Sequence, residues 1–262
     1  MAAALTATEC ARRIISANER GEELVSVLAT AGEGAGARIV VARDGVVVGT
    51  LGSSALDDVA TALALRVYTN REPTFADGLF AELHAPVEQL LIFGAGHIAV
   101  PLAGLGTTLG FAVTVLDDRD EFASATRFPT AARVSVLDFN APLKDLAMGP
   151  LTYVVLVTRA HKHDFDLLNA ILAGDRQPRY IGMIGSRRRV RAAFTALLDG
   201  GMPKHKLERV HAPVGLDISA ETPAEIAVSI AAELVRVRRG GSAESLSHGE
   251  RVLERFFPDG RP

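Results

Sequence analysis

Hydrophobic positions recur in two different patterns, one before and one after about residue 88. The first 70 residues combine short runs typical of strands with two amphipathic stretches typical of helices. The predicted helices cover residues 8–20 and 56–68, and the predicted strands cover residues 24–29, 38–43 and 46–51. These elements predict a small α+β domain over residues 1–70.

Turn and breaker residues predict a hairpin and a linker. Asp44 and Gly45 separate the second and third predicted strands, and an Asp-Gly pair accommodates the positive φ angles of a type I′ turn. The next segment, residues 71–87, mixes polar residues with Pro73, Gly78 and Pro86. We therefore predict a linker over residues 71–87.

From residue 88 onwards, short apolar runs alternate with helical stretches. The predicted strands are 90–93, 111–116, 133–137, 153–157 and 180–184, and the predicted helices are 97–109, 164–172, 187–198 and 223–237. Strands that are apolar throughout and alternate with helices are typical of a parallel sheet covered on both faces. The predicted fold is therefore α/β: a Rossmann-type doubly wound parallel sheet over residues 88–240, preceded by the small α+β domain. Residues 241–262 are expected to form a tail.

Composition narrows the functional classes. The 262 residues are 48% hydrophobic, enough for a sizeable core, and a net charge of −3 gives no general attraction to nucleic acid or anionic membranes. We find no apolar run long enough for a membrane span and no signal peptide. The single cysteine, Cys10, excludes a disulfide framework within one chain. We expect a cytoplasmic protein with no nucleic-acid or membrane partner.

A glycine-rich loop follows the first strand of the predicted Rossmann domain. Gly94 permits a tight turn, Gly96 lets the backbone approach a pyrophosphate, and Ala99 is the small residue at which helix and strand pack closely. Free N–H groups at the start of the next helix favour phosphate. The predicted cofactor-binding residues of this loop are Gly94, Gly96, His97 and Ala99. The alternative is a degenerate loop that is kept for packing and binds nothing.

An acidic pair, Asp117 and Asp118, ends the second strand of this domain. Asp117 has about the spacing from the glycine loop that is expected of a carboxylate accepting hydrogen bonds from ribose hydroxyls. Both residues are predicted to bind the cofactor, which favours NAD or another nucleotide with free hydroxyls. Arg119 leaves NADP open, because a guanidinium there can meet a 2′-phosphate.

The loop after the fourth strand carries titratable groups. Ligands of open parallel sheets bind beyond the carboxyl ends of the strands, so this loop faces the expected site. His161 and His163 are candidate catalytic residues that can shuttle protons or ligate a metal. No third ligand is assured, so we predict no metal site. The alternative is that Asp164 caps the next helix and both histidines are solvated.

A second glycine-containing loop follows the fifth strand. Ser186 is a good N-cap for the next helix, and Gly185 with the free N–H groups there forms a possible anion site. Three arginines, residues 187–189, add positive charge. We predict that Gly185, Ser186 and Arg187 bind a phosphate; the alternative is that the arginines form a solvated helix face.

The loop before the last helix contains Asp217, which either contacts the ligand or braces the loop. Thr222 and Glu225, with Pro223 at the first helical position, form a capping box. We therefore predict a structural role for Thr222 and Glu225, and keep Asp217 among the candidate cofactor-binding residues.

Four motifs, in order along the chain, resemble the C-terminal domain of the XdhC/CoxI family. They are GAGHIAVPLA from residue 94, VTVLDDRDEFASATRFP from residue 113, YIGMIGSRRRV over residues 180–190 and HAPVGLDISAETPAEIAVSI over residues 211–230. The resemblance runs over residues 88–240 and agrees with the Rossmann-type domain that the hydrophobic pattern predicts.

The resemblance implies an accessory factor for a molybdenum hydroxylase, such as xanthine dehydrogenase or carbon monoxide dehydrogenase. Members of this family are thought to bind molybdenum cofactor (molybdopterin), to protect it while its terminal sulfur is installed, and to deliver it to the apoenzyme. The implied partner is therefore the molybdenum hydroxylase apoenzyme, with a cysteine desulfurase as a further partner. We also expect a homodimer.

The N-terminal domain departs from the family's pattern. The family's hairpin there ends in Gly-Gly-Gly-Cys, whereas this chain has Gly52-Ser53-Ser54-Ala55. Alanine offers no thiolate for sulfur chemistry or for molybdenum. Cys10, on a predicted helix, is a poor substitute, so sulfuration through a cysteine of this chain is not favoured.

Three functions remain open from the sequence. The first is a carrier of molybdenum cofactor or a nucleotide, the second an NAD(P)-dependent oxidoreductase with His161 or His163 as proton donor, and the third a nucleotide-sensing module. No nucleophile accompanies the histidines, and no G-x-S-x-G elbow is present. We therefore expect binding and delivery of molybdenum cofactor or NAD(P), not a self-sufficient enzyme.

Overall fold

The computed structural model describes residues 3–32, 34–139, 143, 146–174 and 176–249. The chain divides into two compact units, Met1–Val87 and Glu88–Pro262. Within the described ranges, no helix is both long enough and apolar enough to cross a membrane.

The first unit is built on a five-stranded antiparallel sheet with the strand order β3-β2-β1-β5-β4. Its strands are β1 (Leu24–Ala29), β2 (Arg38–Ala42), β3 (Val47–Gly49), β4 (Thr74–Ala76) and β5 (Leu79–His84), and its helices are α1 (Ala7–Glu19) and α2 (Ser54–Asn70). Residues along β1 alternate between buried and half-buried. The buried set packs with the apolar face of α2 in one core, so the predicted α+β architecture is observed.

The predicted linker over residues 71–87 is wrong, because much of it forms β4 and β5. β5 lies between β1 and β4, paired with β1 along its whole length. Asp77 and Gly78 connect β4 to β5 with φ angles of 53° and 73°, the positive pair of a two-residue type I′ turn. Pairing with β1, which is distant in sequence, decides this conformation.

The predicted hairpin between β2 and β3 forms, but not with a type I′ turn. Only Gly45 of the Asp-Gly pair has a positive φ angle, 86°. The N–H of Gly45 donates to the carbonyl of Ala42 at 2.9 Å, and the N–H of Ala42 donates to the carbonyl of Val46 at 2.8 Å. Three residues, 43–45, therefore lie between the hydrogen-bonded pair Ala42 and Val46, in the type I turn plus left-handed residue that is common for this loop length. The Asp44 carboxylate stabilises the turn by accepting the N–H of Val46 at 3.1 Å.

The second unit contains a six-stranded parallel sheet with the order β11-β10-β9-β6-β7-β8. Its strands are β6 (Gln89–Phe93), β7 (Ala112–Asp117), β8 (Arg133–Val136), β9 (Thr152–Leu156), β10 (Tyr180–Met183) and β11 (Val210–His211). Its helices are α3 (Ala99–Thr108), α4 (His161–Ala173), α5 (Arg187–Asp199), α6 (Lys204–Leu207), α7 (Pro223–Arg239) and α8 (Leu246–Gly249). β11 was not predicted, because two residues are too few for a periodic pattern. Of the predicted tail 241–262, residues 250–262 lie outside the described part.

The strand order confirms a doubly wound Rossmann-type sheet. From β6 the chain adds β7 and β8 on one side, then returns and adds β9, β10 and β11 on the other. One core packs α3 and α7 on the sheet, and a second packs α4 and α5 on its other face. Because β6 and β9 are neighbours, the crevice at their carboxyl ends is the switch point where such sheets bind ligands.

Candidate functional site

The loop between β6 and α3 passes close to the loop that follows β9. Gly94 donates its N–H to the carbonyl of Leu116 at 2.7 Å and has a φ angle of +106°. A Cβ at this position would lie 2.3 Å from the carbonyl oxygen of Val157. Gly94 is therefore required by the close packing of two loops, and this requirement does not depend on a ligand.

Gly96, His97 and Ile98 form the open part of the glycine loop. A Cβ on Gly96 would meet no atom within 4 Å, and the His97 side chain is exposed. The backbone N–H groups of these three residues donate to no acceptor in the described part of the chain, and no side chain caps α3. Unpaired N–H groups at the start of a helix can bind an anion such as phosphate by donating hydrogen bonds to it.

Small residues let α3 lie close to the sheet. Ala99 is fully buried in the first turn of the helix. A Cβ on Gly106 would lie 2.7 Å from Cδ2 of Leu90 and 3.0 Å from Cγ2 of Val113. The close helix–strand approach predicted at Ala99 therefore extends to Gly106, two turns further along.

Asp117 supports the glycine loop instead of presenting a free carboxylate. Its side chain is 1% exposed. Oδ2 accepts the N–H of Ala95 at 2.7 Å and Nη2–H of Arg119 at 3.1 Å, while Oδ1 accepts the backbone N–H and Nε–H of Arg119 at 3.0 and 2.8 Å. These four bonds fill the acceptor capacity of a carboxylate. The structure thus gives Asp117 a supporting role in place of the predicted ribose contact.

Asp118 is the more accessible member of the acidic pair, with its side chain 16% exposed. Its Oδ2 accepts Nη2–H of Arg159 at 2.8 Å and lies 3.8 Å from Nε2 of His163. The hydrogen bond from Arg159 lowers the pKa of the Asp118 carboxyl group. Asp118, Arg159 and His163 are therefore brought together across the ends of β7 and β9.

Asp164 lies inside α4 and does not cap it, contrary to one of the predicted alternatives. The helix begins three residues earlier, at His161, and Oδ1 of Asp164 accepts the N–H and O–H of Thr158 at 3.0 and 2.7 Å. The carboxylate thereby ties the β9 loop to the helix. Burial raises the pKa of Asp164, and its Oδ2 lies 3.9 Å from Nδ1 of His161.

The two histidines of this loop differ in environment. The His161 side chain is 55% exposed, whereas that of His163 is 17% exposed and packs edge-on against Phe139. The alternative in which both are solvated therefore holds for His161 alone. In the described residues, no three His, Cys, Asp or Glu side chains are grouped closely enough to hold a metal ion.

The loop after β10 places a capping serine beside exposed arginines. Ser186 is the N-cap of α5, as predicted, and its Oγ accepts the N–H of Arg189 at 3.4 Å. Gly185 precedes it with its backbone partly accessible, and Arg187 is exposed on the first turn of the helix. These groups lie on the same edge of the sheet as the open glycine loop.

The loop before α7 leaves Asp217 exposed. The neighbouring Leu216 anchors the loop, because its carbonyl accepts the Ser229 O–H at 2.6 Å and its N–H donates to the Ser229 carbonyl at 3.3 Å. Thr222 and Glu225 form the predicted capping box. Leu216 and Ser229 therefore stabilise the loop, and the Asp217 side chain is exposed to solvent.

One polar cluster of this unit lies outside the predicted site residues. Glu233 on α7 is 7% exposed, beside the fully buried Ile230 and Leu234, and it contacts Tyr180 and His211. A glutamate on the apolar face of a helix is the signal that would have found this cluster in the sequence. Its partners could not be found in that way, because they lie on other elements.

The first unit offers no accessible thiol. Ala55 is exposed in the first turn of α2, where Ser53 is the N-cap and accepts the N–H of Leu56 at 3.3 Å. Cys10 is 5% exposed, and burial raises the pKa of its thiol. A buried thiol of raised pKa is a poor nucleophile, which agrees with the expectation from the Ala55 position.

Two proteins with sequence similarity match the chain over much of its length. A Bacillus subtilis (strain 168) protein, named as a probable subunit of xanthine dehydrogenase, is 34% identical over 161 residues, covering 62% of this chain and 46% of that protein. "Uncharacterized protein YqeB" of Escherichia coli (strain K12) is 28% identical over 236 residues, covering 81% of this chain and 43% of that protein. The chain therefore spans less than half the length of these curated relatives.

A solved structure and a family model extend the comparison. A crystal structure described as a xanthine dehydrogenase from Bacillus halodurans matches with a TM-score of 0.61 and 26% identity, covering 93% of this chain and 68% of that one. The model of the XdhC Rossmann domain matches residues 90–234. This match covers more than half of the chain and contains the glycine loop, Asp117 and the loop after β10, so the chain belongs to the XdhC family.

Proposed function

We propose that this chain is an accessory protein that binds molybdenum cofactor (molybdopterin) and delivers it to the apoenzyme of a molybdenum hydroxylase of the xanthine dehydrogenase or carbon monoxide dehydrogenase type. Membership of the XdhC family and the names of two similar proteins support the link to xanthine dehydrogenase. The partner in this proposal is the hydroxylase apoenzyme, and the cofactor is cargo that supplies redox chemistry only after transfer.

The observation that carries the proposal is the open backbone at Gly96, His97 and Ile98. Three N–H groups without acceptors in the described residues lie at the start of α3, and the space beside Gly96 is free. A phosphate fits such a cradle because it accepts several N–H bonds and is attracted by the helix dipole. Molybdopterin carries a phosphate, and the exposed Arg187 on the same edge adds positive charge.

The carboxylate of Asp117 is already fully hydrogen-bonded within the chain, which favours a phosphorylated pterin over NAD(P) as the ligand. Dinucleotide-binding Rossmann domains use a carboxylate at this place to hold the adenosine ribose, but here Arg119 and Ala95 fill its acceptor positions. A pterin phosphate has no adenosine ribose, so its binding does not require a free carboxylate at Asp117. An NAD(P) ligand would depend on Asp118, which is already paired with Arg159.

Sulfur chemistry on this chain does not fit the residues present. Its only cysteine, Cys10, is buried, and Ala55 stands where the family pattern has a cysteine. In our proposal the terminal sulfur of the cofactor therefore comes from another protein, such as a cysteine desulfurase. This chain contributes binding, orientation of the phosphate and protection from water.

Replacing Gly96 with valine is expected to weaken binding of a pterin monophosphate at least about tenfold, because the branched side chain fills the space that the phosphate would occupy. Binding can be measured by pterin fluorescence and calorimetry. Gly104→Val is the matched control, since this glycine lies further along α3 and its Cβ would also meet no atom within 4 Å. Thermal unfolding of both variants should resemble that of the wild type.

Equal affinity of wild type, Gly96→Val and Gly104→Val for the pterin probe would mean that the loop is not the phosphate site. Steady turnover of NADH or NADPH by the purified chain would contradict the carrier function. It would support the oxidoreductase alternative, with His161 or His163 as proton donor. Co-purification of the chain with a fluorescent oxidised pterin and a molybdenum hydroxylase would support the proposal directly.

A further inference from the structure

The carboxylate of Glu233 joins α7 to the loop that follows β11. Its Oε2 accepts the O–H of Tyr180 at 2.6 Å and the N–H of Gly215 at 2.9 Å. Its Oε1 lies 3.1 Å from Nδ1 of His211 and 3.5 Å from Nη2 of Arg236. Both oxygens are thus held by groups from β10, β11, the following loop and α7 itself.

Ionised Glu233 determines which ring nitrogen of His211 carries the proton. Burial alone would raise the pKa of Glu233, but the hydrogen bonds from His211, Tyr180 and Gly215 outweigh it and lower the pKa to about 2. An ionised carboxylate accepts hydrogen bonds and donates none, so the shared proton belongs to Nδ1 of the imidazole. In neutral His211 the lone pair is therefore on Nε2.

The imidazole of His211 is held in place, and among the described residues no hydrogen bond involves its Nε2. Its ring stacks on Tyr180 with the centroids 4.5 Å apart and an interplanar angle of 29°. The side chain is 28% exposed, and its hydrogen bond to Glu233 uses Nδ1. A carboxylate on one nitrogen and an open second nitrogen make an oriented hydrogen-bond acceptor, as in catalytic carboxylate–histidine pairs.

His211 is the last residue of β11, at the same edge of the sheet as the β6–α3 loop where we propose that the phosphate binds. β11 pairs with β10, β10 with β9, and β9 with β6, all in parallel, so the strands end at the same edge. Three strand spacings separate β6 from β11, about 14 Å. A phosphate at the β6–α3 loop and a fused heterocycle towards β10 and β11 can bridge such a span.

We propose that Nε2 of His211 binds the cofactor by accepting a hydrogen bond from an N–H group of its heterocycle, and that Glu233 positions His211 for this contact. The inference rests on the proposed function, since it assumes a phosphorylated heterocycle bound at this edge. A pterin ring suits the site because its lactam N–H and amino group are donors. His211 is a binding residue here, and Glu233 and Tyr180 act through it.

Two substitutions distinguish a ligand-binding role of His211 from a merely structural role. In His211→Asn the amide nitrogen replaces Nδ1 as the donor to Glu233, while the atom corresponding to Nε2 is lost. In Glu233→Gln the amide oxygen can still accept from Tyr180 and Gly215, while its NH2 group faces His211 and must donate. Nδ1 then becomes the acceptor, the proton moves to Nε2, and the group offered to the ligand changes from acceptor to donor.

Nitrogen-15 NMR of the imidazole in the ligand-free protein tests the first step. Where the imidazole of His211 is neutral, the wild type should show its Nδ1–H form, and Glu233→Gln should show its Nε2–H form. Observation of the Nε2–H form in the wild type would overturn the inference before any ligand is added. This readout requires no activity and is not changed by a general loss of stability.

Binding of pterin monophosphate tests the second step. We expect at least about a tenfold loss of affinity in both His211→Asn and Glu233→Gln, since each removes one hydrogen bond and leaves a ligand donor unpaired. Unchanged affinity in both variants, together with a loss in Gly96→Val, would overturn the role of His211 but leave the proposed function intact. Unchanged affinity in all three would overturn both. Should either variant fail to fold, the other and the wild-type NMR spectrum still decide the question.

Discussion

Replacing Gly94 with alanine is expected to lower the free energy of unfolding by about 3 kcal/mol or more. The left-handed φ angle of +106° alone costs a non-glycine residue about 1–3 kcal/mol. The new methyl group would also lie 2.3 Å from the carbonyl oxygen of Val157 and 2.8 Å from Cα of Thr158. Backbone atoms cannot rotate away as side chains do, so the ends of β6 and β9 would have to separate.

Urea unfolding followed by circular dichroism measures this effect, with Gly104→Ala as the matched control. Gly104 lies within α3, and its added Cβ would meet no atom within 4 Å. The control should be neutral or up to about 1 kcal/mol more stable than the wild type, because alanine favours helix. Equal stability of Gly94→Ala and Gly104→Ala would show that the two loops are not closely packed.

Acidification is expected to remove about 3 kcal/mol of stability through Glu233. The hydrogen-bonded carboxyl group has a folded-state pKa of about 2, against an ordinary value of 4.5, and each unit of difference corresponds to about 1.4 kcal/mol. A lowered folded-state pKa stabilises the fold fully above the unfolded-state value. This contribution is lost as the pH falls from about 4.5 towards 2, and about 2 kcal/mol of it should be gone at pH 3.

The comparison of wild type with Glu233→Gln at pH 7 and pH 3 isolates this contribution. Glutamine does not titrate, so the stability difference between the two proteins should shrink by about 2 kcal/mol at pH 3. Glu208→Gln changes the charge equally at an exposed position, where the glutamate side chain is 62% exposed, and serves as the control. A constant difference between wild type and Glu233→Gln across this pH range would contradict the ionised, hydrogen-bonded state of Glu233.

Protonation of Glu233 also affects the proposed binding site at His211. Protonated Glu233 can no longer be a pure acceptor for His211. In acid, Glu233 therefore no longer imposes the Nδ1–H form on the imidazole, even where the fold persists. Measured at neutral pH, the binding experiments with His211→Asn and Glu233→Gln avoid this complication.

Short-range features of this protein could be predicted from the sequence alone. The alternation of apolar strands with helices predicts the doubly wound sheet, and Ser186 and the pair Thr222–Glu225 cap their helices as expected. Each of these features depends on residues within a few positions of one another, or on a periodicity repeated along the element. Such information is present in any stretch of the chain, whatever lies beside it in space.

Features that depend on a distant partner were decided by the tertiary structure. Residues 74–76 and 79–84 become strands because β1 offers a partner for pairing, and Gly94 is required because Val157 approaches it. Asp117 has the expected spacing for ribose binding, yet burial against the glycine loop directs its carboxylate to Ala95 and Arg119. Glu233, Tyr180 and His211 meet only once α7 packs on the sheet. The sequence identifies which residues can bond, but packing selects the partner, because a buried polar group must be satisfied by whatever donor or acceptor the fold brings within reach.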